Sequence, residues 1–166
     1  MKKMYFACGM VLAISAFFTS GCLKSNSDSQ GSSCVTNTTG VPTTAEVASV
    51  QAYLTSHSIT ATQDPRGFFY IIVNPGTGAT PLSSSTVTVR YSGTLENGTV
   101  FDQNLNGAVF QLSQLIRGWQ MGLPLIKKGG SVKLFLPPTL GYGCASVGSI
   151  PPGSNLIFSI DLVDVQ

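Results

Sequence analysis

The chain has few charged side chains and no plausible pair of a nucleophile and a base. Charged residues make up 10% of its 166 positions, and His57 is the only histidine. No spacing of Cys and His matches a usual zinc site, and no glycine-rich loop follows a strand to hold a phosphate. These absences argue against hydrolytic, metal-dependent and nucleotide-dependent chemistry, so we expect no metal and no cofactor.

The net charge gives no sign of a polyanionic partner. The full chain carries nine Lys and Arg and seven Asp and Glu residues. Lys2 and Lys3 belong to a predicted leader, and their removal leaves seven residues of each sign. Because nucleic-acid-binding domains usually carry a basic patch, we expect the mature chain not to bind nucleic acid.

Residues 1–21 resemble a signal peptide of the lipoprotein type. Two lysines precede an uncharged apolar run at residues 4–18, which is shorter than the ~20 residues of a transmembrane helix. Ser20-Gly21-Cys22 follows, so cleavage and acylation at Cys22 would anchor the protein in a bacterial cell envelope, facing the periplasm or the surface. Thr19 stands where Leu is usual, and an ordinary signal peptide cut nearby is the alternative.

Residues 22–42 are predicted to be a flexible tether. Ser, Thr, Asn and Gly dominate this segment, and such a composition buries too little apolar surface to fold. With Cys8 in the leader and Cys22 acylated, Cys34 and Cys144 remain. Because an even number of cysteines remains in a chain that is predicted to be exported, we expect one disulfide between these two. Two free thiols are the alternative.

One domain is predicted over residues 43–166, and it begins with a helix at residues 43–57. Thr43 and Glu46 form a capping-box pattern. Apolar side chains then recur at helical spacing at Val47, Val50 and Leu54. Because this helix is short, we expect it to pack on the domain rather than to dimerise, and we expect a monomer; a dimerisation helix is the alternative.

The rest of the chain predicts an α+β fold in which an antiparallel sheet of about five strands wraps over one short helix. Asn97-Gly98 is a favoured pair for a tight hairpin, and residues 104–107 and 139–153 are predicted to be loops. Strand patterns occur at residues 67–74, 87–91, 99–101, 109–112, 131–136 and 156–165.

The stretch from Leu112 to Leu123 contains Trp119, the only tryptophan of the chain. Apolar residues at positions 112, 115, 116, 119 and 123 follow helical spacing, so the stretch is predicted to be one short helix with an apolar face. A buried indole removes ~150–250 Å² from water, and Trp119 is therefore predicted to dominate a core or a pocket.

Four sequence blocks, in this order, resemble the FKBP-type peptidyl-prolyl isomerases. They are residues 91–102 (YSGTLENGTVFD), 114–119 (QLIRGW), 140–143 (LGYG) and 150–158 (IPPGSNLIF). The resemblance covers about residues 66–165. It implies the FKBP-like fold and an isomerase that assists the folding of exported, proline-containing polypeptides.

The resemblance also implies the residues of the site. Asp102, Tyr142 and Phe101 would be catalytic. Trp119 would form the floor under a proline ring, and the backbone N–H of Ile116 would donate to the substrate carbonyl. The other substrate-binding residues that it implies are Tyr91, Leu115, Ile150 and Phe158. Each large apolar residue could instead be ordinary core, and Asp102 could be a turn residue.

Three departures from the family pattern bear on ligand preference. Ala108 stands where many relatives carry a large aromatic residue, which predicts a wall that is either open or filled by a neighbouring side chain. No Arg follows Asp102 in its loop, and the loop after Tyr142 is about one residue shorter and carries Cys144. The family implies macrolide inhibitors as ligands, and these departures predict an altered affinity for them.

Such a pocket suits a reaction that breaks no bond. Rotation about an X-Pro amide has a barrier of ~18–20 kcal/mol because resonance keeps the amide planar. A pocket that excludes water favours the less polar, twisted amide. The sequence therefore predicts a prolyl isomerase, and the alternative is a non-catalytic lipoprotein that uses the same pocket to dock peptides.

Overall fold

The computed structural model describes residues 39–166. The predicted leader, Cys22 and Cys34 lie outside the described residues. Three short 3₁₀ turns occur at Leu112–Gln114, Leu123–Leu125 and Pro138–Leu140. The helices and strands are α1 (Thr44–Ser56), β1 (Thr62–Gln63), β2 (Phe69–Asn74), β3 (Thr86–Thr94), β4 (Val100–Gln111), α2 (Arg117–Gly122), β5 (Ser131–Leu136) and β6 (Leu156–Val165).

The strands form one antiparallel sheet in the order β1-β2-β5-β6-β3-β4. The predicted α+β class is confirmed. The described part of the sheet has six strands rather than about five, because the two-residue strand β1 pairs with β2 at one edge. Strands β5 and β6 have the predicted bounds, 131–136 and 156–165.

The predicted loop at residues 104–107 is wrong, because β4 is continuous from Val100 to Gln111. Val89 pairs with Ala108 and Tyr91 pairs with Asn104, so β4 accommodates two extra residues as a bulge. The side-chain oxygen of Asn104 accepts the N–H groups of residues 106 and 107. Asn104 therefore does form a turn, but this turn is a bulge within β4 and does not end the strand.

The predicted continuous helix over residues 112–123 is also wrong. Leu115 and Ile116 have extended backbones, with ψ of 168° and 149°. They separate the 3₁₀ turn at residues 112–114 from α2. The break turns the backbone at Ile116 away from helical hydrogen bonding, and within residues 39–166 its N–H has no hydrogen-bond partner.

Two apolar clusters cover the two faces of the sheet. The larger one lies between the inner face and α2 and includes Trp119, Phe158 and Leu134. The smaller one lies between the outer face and α1. Its buried members are Val50, Leu54, Phe69, Phe135 and Ile157. As expected, α1 packs on the domain, and Thr43 and Glu46 form the predicted capping box at its start.

Two glycines of α2 set how closely this helix approaches the sheet. A Cβ atom on Gly118 would lie 2.3 Å from Leu136 Cδ1, and one on Gly122 would lie 2.5 Å from Leu134 Cδ1. Both leucines are fully buried, so they have little room to move. The spacing between α2 and β5 therefore depends on the absence of side chains at these two positions.

We predict that Gly122→Ala destabilises the protein by about 1–3 kcal/mol, because overpacking a closed core costs that amount. Urea unfolding followed by circular dichroism measures the change. In an open helix, Gly to Ala would instead stabilise by about 1 kcal/mol. A stabilised variant would therefore contradict the close packing of α2 on β5.

Candidate functional site

A cavity of about 170 Å³ opens between the inner face of the sheet and α2. This volume is smaller than the ~300–1,000 Å³ of sites for drug-sized ligands, so it suits one small ring or side chain. Strands β3, β4 and β6, helix α2 and the loop after β5 all contribute to its wall. The lining residues are Tyr91, Asp102, Phe110, Leu115, Ile116, Trp119, Tyr142 and Phe158.

Trp119 forms the buried centre of this cavity, with 4% of its surface exposed. The rings of Tyr91 and Phe158 meet its indole edge-on, each with a centroid distance of 5.2 Å. Phe110 also meets it edge-on, at 6.3 Å. Edge-to-face pairs are the favoured aromatic geometry, so three strands hold the indole in one orientation.

The Trp119 indole nitrogen, Nε1, is buried without a hydrogen-bond partner among the described residues. Unpaired buried donors are rare in folded proteins. Ile116 is half-buried and also lines the cavity, and its backbone N–H has no partner among residues 39–166 either. The cavity therefore presents an apolar surface with unused N–H groups, which suits a ligand that carries carbonyl oxygens.

Asp102 supplies the carboxylate of the cavity and is held by Tyr91. The Tyr91 hydroxyl donates to Asp102 Oδ2 at 2.8 Å. Burial, the hydrogen bond to Asp102 and the negative charge of that residue together raise the pKa of Tyr91 to about 12. Asp102 Oδ1 accepts no hydrogen bond from residues 39–166, so the fixed carboxylate keeps one oxygen available to a ligand.

Tyr142 stands at the rim on the loop that follows β5. Burial and the charge of Asp102 raise its pKa, so its hydroxyl stays protonated and can donate. A 3₁₀ turn at Pro138–Leu140 precedes it, and the carbonyl of Pro138 accepts the N–H groups of both Gly141 and Gly143. These two bonds on either side of Tyr142 fix where its ring enters the cavity.

Seven of the nine predicted site residues line the cavity. Phe101 and Ile150 do not. The rings of Phe101 and Phe158 meet edge-on with a centroid distance of 5.4 Å. Gly93 leaves room for the Phe101 ring, because a Cβ atom on Gly93 would lie only 2.6 Å from it. Ile150 is buried in the main core. Phe101 is thus placed behind the wall, where it supports Phe158.

Phe110 is a lining residue that the sequence reasoning missed. Of the two alternatives at Ala108, the filled wall agrees with the structure, because Phe110 lines the cavity from the same strand, two residues further on. Residues two apart in a strand face the same side, so the alternation of β4 could have identified Phe110. The predicted strand at residues 109–112 contained Phe110 but began after Ala108, so the shared face of the two residues was not recognised.

Cys144 is disulfide-bonded, and its partner lies outside the described residues. The pairing with Cys34 therefore stays a prediction.

Among residues 39–166, no group of three or more His, Cys, Asp or Glu side chains could hold a metal ion. No helix in that same range is long and apolar enough to span a membrane.

The chain is similar in sequence to known isomerases. The profile of a family described as FKBP-type peptidyl-prolyl cis-trans isomerase matches residues 78–163. FkpA of Escherichia coli K12, an FKBP-type peptidyl-prolyl cis-trans isomerase, is 46% identical over 103 residues, which are 60% of this chain and 38% of FkpA. The outer membrane protein MIP of Legionella longbeachae is 47% identical over 106 residues, 61% of this chain and 46% of MIP. The chain thus spans less than half the length of these relatives.

Solved structures also resemble it. The crystal structure of E. coli FkpA has a TM-score of 0.67 and 38% identity, over 74% of this chain and 60% of that one. A peptidyl-prolyl cis-trans isomerase from Pseudomonas syringae has a TM-score of 0.65 and 30% identity, over 75% of this chain and 96% of that one.

The raised pKa of Tyr91 predicts a loss of stability at high pH. A tyrosine in the unfolded chain ionises near its ordinary pKa of 10.0, whereas folded Tyr91 ionises at about 12. Its contribution is therefore complete below pH 10 and is lost as the pH rises towards 12. We expect wild type to lose about 1 kcal/mol more than Tyr91→Phe between pH 8 and pH 11 in urea unfolding. Equal losses in the two proteins would contradict the hydrogen bond between buried Tyr91 and Asp102.

Proposed function

Since the chain belongs to the family of FKBP-type peptidyl-prolyl cis-trans isomerases, we propose that it catalyses the cis–trans isomerisation of X-Pro bonds in the cavity above Trp119. The observation that carries the proposal is the aromatic floor, in which three rings fix the indole edge-on. A small, rigid, apolar floor suits the ring of proline. The carboxylate and the hydroxyl at its edge then face the peptide bond that precedes the proline.

The proposed mechanism lowers the barrier by changing the surroundings of the amide. A planar amide owes its polarity to donation from nitrogen to the carbonyl, and twisting removes that donation. Water stabilises the planar form, so a pocket that replaces water with aromatic rings favours the twisted form. Every 1.4 kcal/mol of such preference speeds the rotation tenfold.

Polar groups around the floor would act on the two ends of the twisting bond. The free N–H of Ile116 would hold a substrate carbonyl, and the Tyr142 hydroxyl would donate to another at the rim. Twisting leaves the carbonyl carbon electron-poor, and the fixed carboxylate of Asp102 would stabilise it. Such stabilisation is effective because Asp102 is oriented by Tyr91 before the substrate binds.

The substrates proposed are proline-containing polypeptides that fold after export. The signal-peptide pattern at residues 1–21 and the lipobox-like Cys22 support a lipid-anchored protein of the cell envelope. The name of one relative, outer membrane protein MIP, agrees with that location. A disulfide between Cys34 and Cys144 is part of the same proposal, because export supplies the oxidising compartment.

We predict that the purified protein accelerates cis–trans exchange of a short X-Leu-Pro-Phe peptide, which takes ~10–100 s without a catalyst. Asp102→Leu should lower kcat/KM by about tenfold or more, because it removes an electrostatic contact worth at least ~1.4 kcal/mol. Exchange NMR measures the rate, and circular dichroism checks the fold. Asp161→Leu is the matched control, since it removes an exposed carboxylate from the outer face of β6.

The two functional alternatives give different results in this assay. Peptide-induced shifts at the Trp119 indole without acceleration would identify a docking protein and refute the isomerase. An isomerase whose rate is insensitive to Asp102→Leu would show that the carboxylate is misassigned.

A further inference from the structure

The N-terminal helix is tied to the loop that carries Tyr142 by one carboxylate, that of Glu46. Its Oε1 atom accepts the backbone N–H of Thr139 at 3.0 Å and the Thr139 hydroxyl at 2.7 Å. Its Oε2 atom accepts the N–H of Thr43 at 2.8 Å and the Thr43 hydroxyl at 3.1 Å. One side chain therefore caps α1 and, at the same time, holds a residue that is 93 positions away.

The carboxylate is ionised where it makes these bonds. Burial alone would raise the pKa of Glu46, but the hydrogen bonds from Thr43 and Thr139 outweigh burial and lower it. Hydrogen bonds to an ionised acceptor are roughly twice as strong as neutral ones. The contact is thus stronger than an ordinary bond between a helix and a loop.

Thr139 lies in the turn that is hydrogen-bonded to the backbone on both sides of Tyr142. It is the middle residue of the 3₁₀ turn Pro138–Leu140. The preceding residue, Pro138, accepts the N–H groups of Gly141 and Gly143, the neighbours of Tyr142. A shift of Thr139 would therefore be passed directly to the backbone on both sides of Tyr142.

The same helix also contacts the far end of this loop. The Asn155 amide donates to Ser49 of α1 at 2.9 Å and to Glu96 in the β3–β4 turn at 2.8 Å. Asn155 is buried and immediately precedes β6. Helix α1 thus holds the loop between β5 and β6 at both of its ends.

We propose that Glu46 is a positioning residue for Tyr142, so that helix α1 belongs to the working site although it lines none of the cavity. This inference builds on the proposed isomerase function, because Tyr142 matters only if it contacts substrate. It assigns a functional role to a helix that precedes the segment matched by the family profile, residues 78–163.

A double-mutant cycle between Thr139 and Tyr142 tests the proposal. Thr139→Val keeps the shape and removes the hydroxyl bond to Glu46. We expect it to lower kcat/KM about three- to tenfold, which corresponds to ~0.7–1.4 kcal/mol, the range of one lost hydrogen bond. In a Tyr142→Phe background the same change should have almost no further effect, because the two residues act through one contact. Thr139→Ser should restore the wild-type rate.

The matched control is Thr43→Ala. It removes a capping hydroxyl from the same carboxylate and weakens α1 by about the usual cost of a lost cap, but it leaves both bonds to Thr139 in place. We expect its kcat/KM to stay within about twofold of wild type, less than the effect of one lost hydrogen bond. A fall as large as that of Thr139→Val would mean that general loosening of the helix, and not positioning of Tyr142, lowers the rate.

Hydrogen exchange of the Gly141 and Gly143 amides gives a readout that does not depend on catalysis. Thr139→Val and Glu46→Gln should both speed their exchange, and Thr43→Ala should not. Unchanged exchange, or a Thr139→Val effect of equal size in the Tyr142→Phe background, would overturn the proposal. If wild type shows no isomerase activity, the proposed function fails by itself, and the same cycle is then measured with peptide affinity.

Discussion

The edge-on packing of three aromatic rings around Trp119 is the constraint on which the rest of the domain depends. Tyr91, Phe110 and Phe158 come from three different strands, so their register must be correct for all of them to reach the indole together. Gly118 lets α2 lie against β5, which delivers the indole to that point. Phe110 and Asp102 both come from β4 and both line the cavity.

This arrangement makes one set of side chains serve as both core and binding site. Trp119 and Phe158 are at least 96% buried and belong to the main core cluster, yet both line the cavity. Rigid packing holds the floor in shape before a ligand arrives, so little ordering remains to be done on binding. The cavity has few polar groups, and one of them, the Trp119 indole N–H, is buried without a partner among the described residues. Proteins tolerate such a local loss of stability at functional sites.

The sequence predicted correctly those features that depend on residues close together in the chain. It did not predict features that depend on packing between distant parts of the chain. The capping box of Thr43 and Glu46 and the bounds of β5 and β6 follow from near neighbours in the chain. The extended break at Leu115 and Ile116 does not, because apolar spacing alone also fits an unbroken helix. Asn104 gives the same turn signal in a loop and in a bulged strand. Only pairing with Tyr91 distinguishes the two.

The boundary of the domain is set by packing rather than by family resemblance. The matched segment, residues 78–163, excludes α1 and β2. Without them the outer face of the sheet would expose Phe135 and Ile157, and β5 would become an open edge. Exposed apolar strands at an edge invite association with other chains. The same helix that covers this face also carries Glu46, whose carboxylate reaches Thr139 beside the cavity rim. Cover for the outer face and support for the Tyr142 loop therefore come from one element, helix α1.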